Sequence, residues 1–163
     1  MSRALRNRHP RSAEPRLDVS VSYAARRPWV PRPADFIRWA LAAVDSSAIP
    51  QSLSVRVVGL ATSRNLNQRY RHKPKATNVL SFTGAGCTPD GRRHLGELVI
   101  CAPVVAREAP AGGVALRAHW AHMTVHGVLH LRGFDHERDE EARVMQAKEV
   151  QLLDRLGFPN PYA

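Results

Sequence analysis

Residues 126 to 136, HGVLHLRGFDH, place three histidines in the pattern His-x3-His-x2-Gly-x2-His. Two histidines four apart on a helix share one face, one turn above the other. The imidazoles of His126 and His130 can therefore converge on one ion. A third helical position would point away. Gly133 stops the helix and lets the backbone reverse, so His136 can swing back to complete the set. Three neutral imidazoles leave a fourth tetrahedral position for water, which marks a catalytic zinc site rather than a closed structural one. Zinc lowers the pKa of such a water to about 7. The expectation is one Zn2+ per chain, held by His126, His130 and His136. Unrelated helix histidines are the plainer alternative, and the third His just past a helix-stopping Gly is what favours metal.

The spacing matches the HExxHxxGxxH signature of metzincin proteases with one departure. Gly127 stands where a protease carries its Glu general base, so the pattern keeps a metal site and lacks the peptidase base. His119 and His122 lie upstream at spacings that put them on the same helical face. They read as supporting or surface histidines rather than direct ligands. Asp135 is placed either to accept an imidazole N–H or to cap the next turn.

A second stretch, RNLNQRYRHKPKATNVLSF at residues 64 to 82, gathers Arg64, Arg69, Arg71, Lys73 and Lys75 around Tyr70. Basic groups with an interleaved aromatic suit a phosphate backbone. A solvated basic face is the equal alternative on the residues alone.

Together these stretches resemble the YbeY family of bacterial endoribonucleases. LNQRYRHKPKATNVLSF is similar to that family's first signature, LGELVIC to its strand signature and HWAHMTVHGVLHLRGFDH to its zinc signature. The ending DEEARVMQAKEVQLLDRLGFPNPY is similar as well, so the likeness runs over about residues 55 to 163. The resemblance implies His126, His130 and His136 as zinc ligands and Arg71 as the catalytic arginine that engages RNA near the metal. It also implies an α+β fold and a single-strand-acting endoribonuclease of rRNA maturation (16S rRNA 3′ end processing) and ribosome quality control. The partners it implies are rRNA and the small ribosomal subunit, with no DNA specificity. Two departures stand in the first signature. Pro74 replaces the usual acidic residue, and Ala76 replaces the usual Pro before Thr77. They bear on the loop's stiffness and charge. Two alternatives stand beside this reading: a metallopeptidase of zincin-like geometry, and a ribosome-assembly factor with a structural zinc.

The elements that must position these residues are legible as patterns. LDVSVSYA alternates as a strand does, Pro33 opens an amphipathic helix through ADFIRWALAAVD, and SLSVRVVGLA is a second strand. Thr62 or Ser63 is expected to cap a short helix over Asn65 to Tyr70. ATNVLSFTG and HLGELVICAP are third and fourth strands forming an antiparallel hairpin. PVVAREAP is a short helix and APAGG a flexible link. A long helix carries the histidines and ends at Gly133, and Asp139 is expected to cap a last helix that ends at Gly157. The expected fold is α+β, a small mixed four-stranded sheet packed with about five or six helices. Residues 1 to 16 read as a disordered basic tail and residues 17 to 163 as a single metallohydrolase domain.

The formal charge is +10, from 24 Lys and Arg against 14 Asp and Glu. Such an excess favours polyanionic partners through counterion release. Cys87 and Cys101 stand far apart with no CxxC, which supports neither a disulfide scaffold nor a Cys zinc site. No apolar run approaches the roughly 20 residues needed to span a bilayer. No apolar segment follows the basic start, as a secretory signal requires. A cytoplasmic protein with no membrane partner is expected.

Overall fold

A computed structural model describes residues 16–163 of the chain. The expected basic tail lies outside the described residues, except for Arg16. Nine elements follow in order: β1 (Leu17–Tyr23), α1 (Pro33–Ala43), β2 (Gln51–Val58), α2 (Leu60–Arg71), β3 (Val79–Thr83), β4 (Arg93–Cys101), α3 (Ala102–Ala111), α4 (Leu116–Leu131) and α5 (Asp139–Arg155). The four strands form one sheet in the order β1-β2-β4-β3. β1 pairs parallel with β2 and β2 parallel with β4, whereas β3 closes one edge antiparallel to β4. The α+β class, the mixed four-stranded sheet and the β3–β4 hairpin agree with the sequence reading.

The sheet's middle explains its sequence. β4 sits between β2 and β3 and is covered on both faces, so its run Leu98, Val99, Ile100 and Cys101 is continuously apolar and buried. Alternation then sorts the side chains. Leu98 and Ile100 join Val55 and Val57 of β2 in the main core. Val99 and Cys101 face the other way, into a smaller cluster with Val58, Leu80 and Val104, against which Leu66 of α2 and Phe82 of β3 pack. Each large apolar side chain fully withdrawn from water contributes about 1.5–3 kcal/mol.

The main core is finished by helices. α1 buries Phe36, Trp39, Ala40 and Ala43 along one face. Phe36 meets Trp39 and also Trp120 of α4 edge-on, with ring centroids 5.8 and 5.9 Å apart. α4 touches α1, α3, α5, β3 and β4. Trp120, Thr124, Val125, Gly127, Val128 and Leu131 are buried around it, as expected for a helix enclosed on most sides. Both its ends are tied to α1. Arg117 donates to Asp35 at 2.7 Å, and Arg132 donates to the Ala43 carbonyl at 2.6 Å.

The structure corrects three local expectations. α2 begins at Leu60 with Gly59 at its N-cap, earlier than a cap at Thr62 or Ser63 allows. The Ser63 hydroxyl is taken instead by Thr77, donating to its carbonyl at 2.9 Å and accepting its N–H at 3.0 Å. Arg138 occupies the N-cap of α5, and Asp139 is its first residue, where its charge still favours the helix N-terminus. Finally, α3 runs through Pro110 and Ala111, so the link to α4 is shorter than APAGG.

Candidate metal centre

The predicted triad assembles on α4 and the turn beyond it. His126 and His130 lie one helical turn apart on the strip of α4 that faces solvent. Gly133 adopts φ +93°, which an L side chain rarely does. The chain reverses there and brings exposed His136 back toward the helix. One potential ligand atom from each of the three rings lies within 4.8 Å of the other two. The Nε2 atoms of His126 and His130 are 3.2 Å apart, and the His136 ring centroid lies 4.8 Å from that of His130 and 5.8 Å from that of His126. Desolvation, then the neighbouring His126 and His136 rings, hold His130 down to about 4 from its usual 6.5. A ring kept neutral is ready to donate a lone pair, so the donor set fits a cation that prefers nitrogen ligands.

The other predicted residues are sorted plainly. Asp135 accepts the backbone N–H of His136 at 2.7 Å, so it braces the turn and does not orient an imidazole. His119 points away to Glu108, 2.8 Å from its Nε2, and Asn78 donates to the same carboxylate at 3.1 Å. His122 approaches Glu149 at 3.4 Å. Arg71 is the last residue of α2, exposed, with His72 terminating the helix in the left-handed region at φ 57°. Among the described residues no hydrogen bond or ion pair joins Arg71 to the triad. The two regions are linked through β3. Tyr70 packs on Phe82 with centroids 5.1 Å apart, and the next strand residue inward, Ser81, points to the opposite face and donates to the Gly127 carbonyl of α4 at 3.1 Å. The basic end of α2 and the histidine helix thus flank the two faces of one edge strand.

Gly127 has a steric reason to be glycine. A Cβ built there would sit 2.7 Å from Leu98 Cδ2 and 3.3 Å from Ser81 Oγ. Leu98 is fully buried in the central strand. The position that carries the general base in metzincins is here the contact between helix and sheet.

Sequence reading missed Glu149 on α5. It is fully buried. Its Oε1 lies 2.5 Å from His126 Nδ1, and Tyr162 donates to Oε2. Burial pushes its pKa up, but the hydrogen bonds from His122, His126 and Tyr162 outweigh that and bring it to about 2. The available signal was its spacing: Met145, Glu149, Leu152 and Leu153 share the buried face of α5, and a charge on such a face needs partners.

An α+β domain with converging imidazoles on an open helical strip and a buried carboxylate behind them is built as a metal-dependent hydrolase is. The family profile described as Endoribonuclease YbeY matches residues 32–157. The Endoribonuclease YbeY of Stenotrophomonas maltophilia (strain K279a) is 49% identical over 154 residues, covering 91% of this chain and 94% of that protein. That of Nitrosococcus oceani is 47% identical over 148 residues, covering 90% and 97%. The chain belongs to the endoribonuclease YbeY family. The solution structure of TM1509 from Thermotoga maritima shares the fold, with a TM-score of 0.52 at 19% identity over 86% of this chain and 88% of that one.

Proposed function

We propose that this chain is a cytoplasmic, zinc-dependent endoribonuclease that acts on single-stranded RNA in rRNA maturation, at the 3′ end of 16S rRNA, and in ribosome quality control on the small subunit. In this reading His126, His130 and His136 hold the zinc and Arg71 engages the scissile phosphate. The observation that carries it is the gathering of three ligand atoms within 4.8 Å on an open face of a chain with net charge +10, in a family whose relatives are named endoribonucleases.

Bound there, zinc supplies Lewis acidity to a phosphoryl oxygen. The chain's own groups do the rest. Exposed Arg64 and Arg69 on α2, with Lys73 and Lys75 just beyond its end, hold the RNA backbone by charge. Arg71 offers a planar fork to two phosphate oxygens and stabilises the charge that develops on them. Burial keeps the His130 ring neutral, so it competes poorly for protons and remains a ligand. The peptidase alternative is disfavoured by Gly127, which supplies no general base and where an added Cβ would stand 2.7 Å from Leu98 Cδ2. No helix among the described residues is long and apolar enough to cross a membrane.

The test is single-turnover cleavage of RNA at several salt concentrations, with a peptide library as the counter-substrate. Arg71→Lys should keep zinc and fold but cleave much more slowly, and Arg71→Ala should lose about 10²- to 10³-fold, the usual cost of one charge-stabilising contact. Arg69→Ala should mainly weaken binding and flatten its salt dependence. Parental cleavage by Arg71→Ala at saturating protein removes that residue's role. Cleavage of peptides and not of RNA overturns the whole reading.

A further inference from the structure

Two groups of three potential ligands share His126: one with His130 and His136, the other with His122 and Glu149. They use opposite sides of one ring. Nε2 faces His130 at 3.2 Å, and Nδ1 faces Glu149 at 2.5 Å. We infer that Glu149 is the positioning residue of the metal centre, and that the His122–Glu149–Tyr162 group supports the first triad and is not a second metal site. This rests on the ligand set proposed above.

The argument is one of donors and acceptors. An ionised carboxylate only accepts hydrogen bonds, and a carboxylate buried this completely needs its lone pairs used. Oε1 takes the His126 Nδ1–H. Oε2 takes the Tyr162 hydroxyl and, at 3.4 Å, His122 Nε2. With the proton fixed on Nδ1, His126 is left with a bare Nε2 aimed at the other two rings. That is the tautomer a ligand through Nε2 requires. An ion in the second group would need the reverse: Nδ1 bare, Nε2 protonated, and the first triad broken. The ring serves one group or the other, and its partners favour the first. Geometry around the carboxylate agrees. The His122 and Tyr162 rings meet edge-on with centroids 5.5 Å apart, and the Tyr162 hydroxyl lies 3.3 Å from His122 Nε2. Tyr162 closes over the carboxylate from the segment after α5, so Glu149 is sealed and held in orientation.

A merely structural Glu149, joining α5 to α4, would leave the metal affinity alone. The experiment is chelator-competition titration of the full-length protein with zinc, together with ring-nitrogen NMR of the metal-free form. The parent should bind one zinc and show His126 protonated at Nδ1. Glu149→Gln keeps the size, and its amide oxygen still accepts from His126, but without the charge. It should stay folded, still bind one zinc, and bind it about 10- to 100-fold more weakly, as loss of such an outer partner typically does. Tyr162→Phe should shift affinity the same way by less than tenfold, and His122→Gln should retain one zinc. Parental affinity in Glu149→Gln overturns the inference, as does a parent that binds two zinc ions and loses one in His122→Gln. A parent that binds no zinc overturns the ligand set itself.

Discussion

Gly127 offers the sharpest test of why the histidine helix lacks a peptidase base. Alanine adds one methyl whose carbon would stand 2.7 Å from Leu98 Cδ2, 3.3 Å from Leu98 Cδ1 and 3.3 Å from Ser81 Oγ. Removing a helix-interior glycine gains about 1 kcal/mol of propensity. Overpacking a full core costs about 1–3 kcal/mol. Leu98 is 0% exposed in the central strand and has little space to move into, so the cost should be toward the upper end. The expected net loss for Gly127→Ala is about 1–2 kcal/mol. With a urea slope of about 2 kcal/mol per M, that lowers the midpoint by about 0.5–1 M. Gly127→Glu drives a longer side chain and an unpaired carboxylate into the same contact, and should lose about 3 kcal/mol or more. Urea denaturation followed by circular dichroism measures both. A Gly127→Glu protein with the parental midpoint, or one that gains peptide cleavage, would refute the packing account.

His126→Ala, His130→Ala and His136→Ala should each lose most bound zinc by elemental analysis, while His119→Ala, whose ring is engaged by Glu108, should keep it. Full occupancy in His136→Ala would sink the three-ligand site. Zinc should also raise the thermal midpoint by mass action, and a midpoint indifferent to chelator would mean that metal contributes nothing to folding. Acid should destabilise the metal-free protein through His130. Its folded pKa, about 4, lies below the usual 6.5. Between those values the unfolded chain binds the proton and the folded one does not, so this contribution is complete above pH 6.5 and is lost as pH falls toward 4. Denaturation midpoints across that range should fall less steeply in His130→Gln, and identical slopes would remove His130 as the cause.

What the sequence disclosed was what local spacing encodes. His126 and His130 share a face because the helix repeats every 3.6 residues, and Gly133 predicted the reversal that returns His136. The alternating strands and the long helix were equally local, and the α+β class followed from their order. What it concealed depended on distant partners. Glu149 lies on another helix, and only folding brings its carboxylate to His126. Ser63 looked like a cap until Thr77, fourteen residues on, claimed both sides of its hydroxyl. Gly127 showed at once that the base was missing, but the reason, a contact with Leu98 of β4, became visible only in three dimensions. Arg71 was placed by resemblance, and the fold shows it only as the exposed last residue of α2.

The three candidate ligands are mounted unequally, and that difference should govern exchange kinetics. His126 and His130 ride on α4, whose backbone is enclosed by α1, α3, α5 and the sheet. Amides of such a segment exchange with solvent only in openings close to global unfolding. His136 stands exposed in the irregular stretch between Gly133 and α5, where local openings take far less free energy. Under the proposed ligand set, a bound ion therefore leaves by letting go of His136 first, while the other two rings stay in place to recapture it. Deuterium uptake would show the same asymmetry, fast at residues 134 to 138 and slow along α4.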